Sequence, residues 1–360
     1  MFKQKQKLKN VKFTNKNFRK ILILRNKPVK NRLYRFSKKE IDISTFSRII
    51  KFLFIFLLLY LLLTLKKYLR NKKIFFCFCG TARYENKYAR ELVSYYLSIG
   101  TGKFIFGDNN FLGTEKLSDV LQDYIKNGTV DIIDHIGEKI SQSAFYGEVY
   151  QKYKNKCKWI SFFDFDEYLL MHFEQGKNIT VQEFLSNEIY SKCESIEINW
   201  VLYGDNDLVY YDNRPSIERF TKPNYKEWAN IFAKSIVRGG LNKTVFKRKR
   251  SEHIPDRHLV ICNSNGKIIE KYNPHGVRPP LYKNAILMHF NTRTAEEYVN
   301  KLNRGFLGED FTLYEKRIKN FFYRNKFTEE KLRLFETKLN RTFPKFHKRQ
   351  IYFVHIFLFC

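Results

Sequence analysis

Cysteine is scarce, and six in 360 residues exclude a scaffold held together mainly by disulfides. Acidic residues are scarce too. There are 36 Asp+Glu against 66 Lys+Arg, and the resulting net charge of +30 raises nucleic acid as a partner. No recognisable nucleic-acid-binding motif accompanies that charge, and most of the missing acid is missing from one end. Residues 1–51 hold 17 Lys+Arg against Glu40 and Asp42 alone, and 52–73 add five bases and no acid. Residues 74–360 hold 44 bases and 34 acids, the balance of an ordinary basic domain, so the sequence excludes a nucleic-acid partner as the main reading. The run Lys247-Arg248-Lys249-Arg250 reads as a solvated loop. Wholesale disorder is excluded by 44% hydrophobic and 17% aromatic content, which suffices for a sizeable core.

Long apolar runs are rare as well. The principal one is 49–65, interrupted only by Lys51 and Thr64. A helix of about 17–20 residues matches a hydrocarbon core of roughly 30 Å, so this run is predicted to cross a membrane. The run follows 48 residues and is succeeded by Lys66, Lys67 and Tyr68 rather than a small-residue cleavage site, which describes an uncleaved signal anchor. Excess base on the N-terminal side places that end in the cytosol, the topology of a single-pass type II membrane protein. The chain then divides into a basic cytosolic arm (1–48), a transmembrane signal anchor (49–65) and a basic stem (66–73). A main folded domain (74–308) and a C-terminal helical extension with an apolar tail (309–360) complete it. In a eukaryotic host the domain faces the ER or Golgi lumen, where the sequons at Asn127, Asn178, Asn242 and Asn340 can carry glycans. Cys77, Cys79, Cys157, Cys193 and Cys262 can include a disulfide there, with its pairing open.

Beyond residue 73 strand-like and helix-like stretches alternate. Strands are predicted at 74–79, 103–106, 130–133 and 159–163, helices at 85–99, 117–126 and 142–153, each joined by a short turn. Such alternation implies a mostly parallel sheet covered by helices on both faces, with ligands beyond the carboxyl ends of its strands. Polar groups sit at three of those ends: Arg83, Glu85 and Asn86; Asp108 and Asn109; Asp164 and Asp166.

The segment Ser161-Phe162-Phe163-Asp164-Phe165-Asp166-Glu167 says most about chemistry. Three acids within four positions at the end of an apolar strand repel one another unless a cation compensates. In extended chain Asp164 and Asp166 point the same way, so both can approach one Mg²⁺ or Mn²⁺ ion. The alternative is a solvated strand end.

At this point the sequence resembles glycosyltransferase family 92 and the family 2-like enzymes of GT-A fold, whose Asp-x-Asp element follows a strand. Arg83-Tyr84-Glu85-Asn86, Phe106-Gly107-Asp108-Asn109-Asn110, Gln142 with Tyr146, and the block from Ile198-Asn199-Trp200 to Asp207 carry the resemblance. Ile217-Glu218-Arg219-Phe220, Lys234-Ser235-Ile236-Val237, His253-Ile254-Pro255 and Met288-His289-Phe290 with Thr294, Glu297, Lys301 and Arg304 follow in order. The resemblance covers about 74–308 and departs at Cys79-Gly80-Thr81 and Gly204-Asp205-Asn206-Asp207. It implies a GT-A, Rossmann-like fold: a mixed, mostly parallel sheet, here preceded by one transmembrane helix. The implied activity is metal-dependent hexosyl transfer, with inversion, from a nucleotide sugar such as a UDP-sugar to a hydroxyl of a glycan or glycoconjugate. The alternative is a catalytically inactive GT-A-like protein that binds glycan or nucleotide.

Loss of a diphosphate leaving group needs its charge stabilised, which a divalent metal does as a Lewis acid. Asp166 is the expected ligand, with Asp164 sharing the metal or holding the donor ribose and His289 supplying a nitrogen. Arg83, Glu85, Asn86 and Asp108 are expected around the nucleotide. The acceptor hydroxyl needs a carboxylate base, for which Asp207, Asp205 and Glu218 are the candidates. Trp200, Tyr203, Tyr210 and Tyr211 offer flat faces for sugar.

Overall fold

A computed structural model describes residues 43–71, 73–138, 140–172, 179–246, 255–271, 273, 275–304 and 311–339. Most of the basic arm, the apolar tail, the sequons at Asn178 and Asn340, the 247–250 run and His253 lie outside these residues. Two compact units divide the chain between Lys67 and Tyr68 and are treated separately.

Helix α1 (Ile43–Asn71) carries the apolar run. Its side chains from 50 to 64 are all exposed, Phe52 by 70% and Leu63 by 65%. At 1.5 Å per residue that stretch measures about 22 Å against a hydrocarbon core of roughly 30 Å. No helix among the described residues is long and apolar enough to cross a membrane, so the predicted transmembrane span is not carried by them.

The second unit runs β1 (Ile74–Ala82), α2 (Asn86–Ser98), β2 (Lys103–Asp108), α3 (Leu117–Val120), α4 (Gln122–Lys126), β3 (Val130–Asp134), α5 (Gln142–Tyr153), β4 (Cys157–Phe162) and β5 (Glu167–Met171). It continues through α6 (Val181–Leu185), β6 (Ser195–Tyr203), α7 (Ser216–Arg219), β7 (Pro223–Asn224), β8 (Ala233–Arg238), β9 (Ile261–Asn263) and β10 (Ala285–His289). Helices α8 (Ala295–Asn303), α9 (Phe311–Arg324) and α10 (Glu329–Lys338) close it.

The strands form one mixed sheet in the order β3-β2-β1-β4-β8-β6-β10-β5, with β7 and β9 also paired to β6. Strands β3, β2, β1 and β4 are parallel, β8 runs against both β4 and β6, and β5 runs against β10. Alternation in β1 decides which helix covers which face. Phe76 and Phe78 pack with Ala89, Leu92, Val93 and Tyr96 of α2, while Cys77 and Cys79 pack with Phe145, Tyr146, Val149 and Tyr150 of α5. The two-faced α/β layering read from the sequence is therefore present. Disulfides Cys77–Cys157 and Cys193–Cys262 pin β1 to β4 and the entry of β6 to β9, leaving Cys79 buried and free.

Two local expectations change. The single helix expected over 117–126 breaks at Leu121 (φ −121°), where Leu117 and Leu121 are both drawn into the core. Strand β4 stops at Phe162, and 163–166 form a turn closed by Glu167 N–H donating to the Asp164 carbonyl at 3.2 Å. Asp164 and Asp166 therefore do not alternate as in extended chain and point to different partners. Gly80 permits the close approach at this strand end, since a Cβ there would lie 2.7 Å from the Phe163 carbonyl oxygen.

Candidate functional site

The loops after β1 and β2, the start of α2, the segment 291–293 and one face of α8 surround a cavity of about 450 Å³, lined among others by Tyr84, Glu85, Phe111, Arg293, Lys301 and Arg304. Helix α8 starts in a capping box: the Thr294 hydroxyl accepts from Glu297 N–H at 3.2 Å, and the Glu297 carboxylate accepts from Thr294 N–H at 3.2 Å. Glu297, Lys301 and Arg304 then recur at helical spacing and share the face turned to the cavity. Tyr298 and Leu302 turn the other way, into a cluster with Phe321 and Phe335 of α9 and α10.

Asp166 is buried, with Lys301 Nζ 2.7 Å from Oδ2 and His289 Nε2 3.4 Å from Oδ1. Burial pushes its carboxyl up, but the charges of Lys301 and His289 outweigh that and hold it well below the usual range. His289 ends β10, opposite Glu167 in register, and packs on Trp200 at 4.3 Å between ring centroids. Burial lowers its pKa, against the opposing pull of Asp166.

Asp164 faces elsewhere. Lys234 Nζ lies 2.9 Å from Oδ2, while Gln142 Nε2 and, at 3.3 Å, the Tyr146 hydroxyl donate to Oδ1. Burial would raise its pKa, but Lys234 dominates and the net shift is downward. Glu167 behind it is fully buried, and burial with the neighbouring Asp164 charge drives its pKa far up. Its Oε2 meets Asp164 N–H at 2.8 Å.

For a divalent ion the chain thus offers Asp166 Oδ1 and His289 Nε2. Among the described residues no group of three or more His, Cys, Asp or Glu side chains converges on a metal position. One carboxylate and one imidazole fit an ion that draws the rest of its shell from ligand oxygens and water, as hard cations on phosphates do. They do not form the shared Asp164/Asp166 site read from the sequence.

The residues expected around the nucleotide are drawn together, mostly as scaffold. Glu85 is buried and paired with Arg293 Nη1 at 2.9 Å and with Arg304 Nη1 at 2.5 Å. Burial opposes its ionisation, yet Arg304 and Arg293 bring the pKa down. Asp108 accepts from Leu117 N–H at 2.7 Å and Asn110 N–H at 3.2 Å, ordering the loop after β2. Asn86 donates to Glu115 at 2.9 Å, and Arg83 lies over Phe111 at 4.5 Å.

Asp205, Asp207 and Glu218 lie apart from this cluster, after β6 and on α7. Asp205 is buried against Lys331 of α10 at 2.5 Å, which engages it structurally. The Asp207 side chain is 50% exposed on a left-handed turn (φ 65°), and Glu218 is exposed on α7. Arg219, its neighbour, pairs not with Glu218 but with Glu297 at 2.7 Å.

Lys301, Arg304, Arg293 and Lys234 pair with the candidate carboxylates, and composition and spacing gave them no role. The first two were findable as a basic face of α8 continuing from Glu297. Arg293 was not, because its position rests on a left-handed backbone (φ 51°), a strained state that Tyr84 (φ 55°) shares on the same cavity.

A parallel half-sheet whose strand ends meet basic side chains at a point of reversed order defines an α/β domain built to hold an anionic ligand at a switch point. The sequence profile of glycosyltransferase family 92 matches residues 72–343, and the chain belongs to that family. A glycosyltransferase family 92 protein of rice (Oryza sativa subsp. japonica) is 29% identical over 122 residues, 34% of this chain and 20% of that protein, so the match spans only a fifth of that relative's length. Among solved structures, residues 1–349 of S. aureus TarS are similar at 9% identity and TM-score 0.32, over 70% of this chain and 71% of that one. A UDP complex of the same TarS fragment gives TM-score 0.33 at 9% identity over 70% and 71% of the two chains.

Proposed function

We propose that residues 74–308 form a GT-A glycosyltransferase domain that moves a hexose from a nucleoside-diphosphate donor, a UDP-sugar by the family resemblance, to a hydroxyl of a glycan. The supporting observation is the cavity that sets Arg293, Lys301 and Arg304 beside ionised Asp166, with Tyr84 and Phe111 on its rim. Cations at that spacing suit a diphosphate, and the exposed aromatic rims suit a flat base. Asp166 and His289 would hold a divalent ion, which when bound would supply Lewis-acid neutralisation of the departing diphosphate. Lys301 and Arg304 bind the same oxygens and stabilise the charge that develops as the glycosyl bond breaks. Gln142 and Lys234 fix Asp164, leaving it the task of holding a donor hydroxyl.

Acceptor sugar approaches from the far side of His289. Strand β7 pairs with Leu202 and Tyr203, and Leu202 is the register partner of His289. The segment following β7 exposes Tyr225 by 51% and Trp228 by 61%, which replaces buried Trp200 as the stacking surface. Asp207, at the end of β6 and open to solvent, is our choice for the base that takes the hydroxyl proton. Inversion follows, since one attack on the anomeric carbon displaces the diphosphate directly.

The domain is further proposed to be membrane-attached and lumen-facing. The exposed apolar side chains of α1 and the flanking bases suit a bilayer, and two disulfides suit an oxidising compartment. The central test is turnover of a panel of nucleotide sugars by the folded protein with added Mn²⁺, reading released nucleotide. Asp166→Ala should lower turnover at least a hundredfold, and Asp207→Asn should keep UDP binding while losing transfer; full activity in Asp166→Ala would overturn the assignment.

A further inference from the structure

Lys301 occupies a position with two possible uses. Its ammonium sits 2.7 Å from Asp166 Oδ2 and 3.1 Å from the Asn291 carbonyl, with only 15% of the side chain exposed. The same side chain lines the cavity that holds Arg304 and Arg293. Asp166 Oδ1 faces His289 Nε2 at 3.4 Å, so both oxygens of this carboxylate already have partners. A divalent ion taking Asp166 must therefore confront an ammonium bound to the same group, and two cations do not share a carboxylate at that range without mutual repulsion.

We propose that Lys301 is the resident counter-cation of Asp166 and that it couples metal binding to donor binding. When a metal ion alone arrives, the ammonium must leave Asp166 with nothing anionic to receive it. When a nucleoside diphosphate arrives alone, Lys301 must give up its ion pair and strand Asp166 as a buried, uncompensated charge. With both present the ammonium exchanges carboxylate for phosphate, and the repulsion it would exert on a metal ion held by Asp166 Oδ1 and His289 is relieved. A four-carbon stem with three donors can make that exchange without moving α8. The two ligands consequently bind with positive cooperativity, each raising the affinity for the other by the same factor. The inference rests on the donor-site reading above and adds to it an order of events set by this one side chain.

The test uses Mn²⁺ and UDP as probes, with free Mn²⁺ read by electron paramagnetic resonance and UDP binding by calorimetry. In the unaltered protein Mn²⁺ alone should bind weakly and tighten at least tenfold at saturating UDP. Lys301→Met should bind Mn²⁺ alone at least tenfold more tightly than the unaltered protein, bind UDP more weakly in Mn²⁺, and lose most of the cooperativity. Lys301→Arg keeps the charge and should leave Mn²⁺ alone weakly bound, which separates the effect from any disturbance of folding. Mn²⁺ affinity that is the same in the Met variant, with Mn²⁺ and UDP still binding together, overturns the coupling and leaves the donor site standing. No UDP binding in any form, with or without Mn²⁺, overturns the donor site and the coupling together.

Discussion

At the scale of the residue, Glu197 shows how far burial can move chemistry without a charge partner. It is fully buried on β6, held by the Ser195 and Ser235 hydroxyls, each 2.7 Å away and donating to its carboxylate. Burial raises its pKa to about 8, against those hydrogen bonds. Above the unfolded value of 4.5 the folded protein holds a proton that the unfolded chain releases, so this group costs stability as pH rises from there to about 8. The sum is on the order of a few kcal/mol. Glu197→Gln should accordingly melt higher than the unaltered protein at pH 8, with the gap closing towards pH 5; equal melting temperatures at pH 8 would refute it. The sequence shows Glu197 only as an acid in an apolar run. Asp205 illustrates the same limit, for its place in the block that carries the family resemblance suggested a base while its partner, Lys331, lies on a helix far along the chain.

At the scale of the element, α8 carries most of the site. From the sequence no helix is expected there, and Thr294, Glu297, Lys301 and Arg304 enter only as carrying the family resemblance, although Thr294 followed three positions later by Glu297 is a helix-start pattern. The double use of Glu297 was not legible. That side chain closes the capping box and also binds Arg219 at 2.7 Å and the Tyr88 hydroxyl at 2.7 Å. Burial works against its ionisation, but Arg219 and Arg293 bring its pKa down to about 2. Thr294→Ala removes one acceptor at the helix start and should cost about 1 kcal/mol in denaturant unfolding. It should also weaken UDP binding, because Lys301 and Arg304 depend on the register of α8; a stability loss with unchanged UDP affinity would detach the cap from the site. The strands of the parallel half were readable from short apolar runs between turns. The order of β8, β6, β10 and β5 was not, since each of those pairings joins segments distant in sequence and hydrophobic period says nothing about neighbours.

At the scale of the whole molecule, charge and cysteine speak about compartment. The chain's excess base lies before the domain, where, on the membrane-attached reading proposed above, it serves orientation rather than recruiting nucleic acid. Two disulfides were allowed but not paired by the sequence, because pairing depends on which strands become neighbours. If the domain matures in a lumen, cellular protein should resist alkaline carbonate extraction, and four of its six cysteines should be protected from alkylation until a reductant is added. Six reactive thiols in freshly lysed cells would contradict that placement. Of the four sequons, Asn127 and Asn242 are exposed among the described residues and can receive glycans there.

The same two cross-links set how the molecule answers to force. The Cys77–Cys157 bond, with a sequence separation of 80, encloses α2, β2, β3 and α5, and the Cys193–Cys262 bond, with a separation of 69, encloses β6 and β8. A pull applied along the chain passes through the sulfurs and bypasses what lies between them. At roughly 3.5 Å per extended residue the first loop alone hides about 280 Å of contour length. Glu85 lies inside the first loop and is bypassed, whereas Asp164, beyond Cys157 and before Cys193, stays in the path of the pull between the two loops.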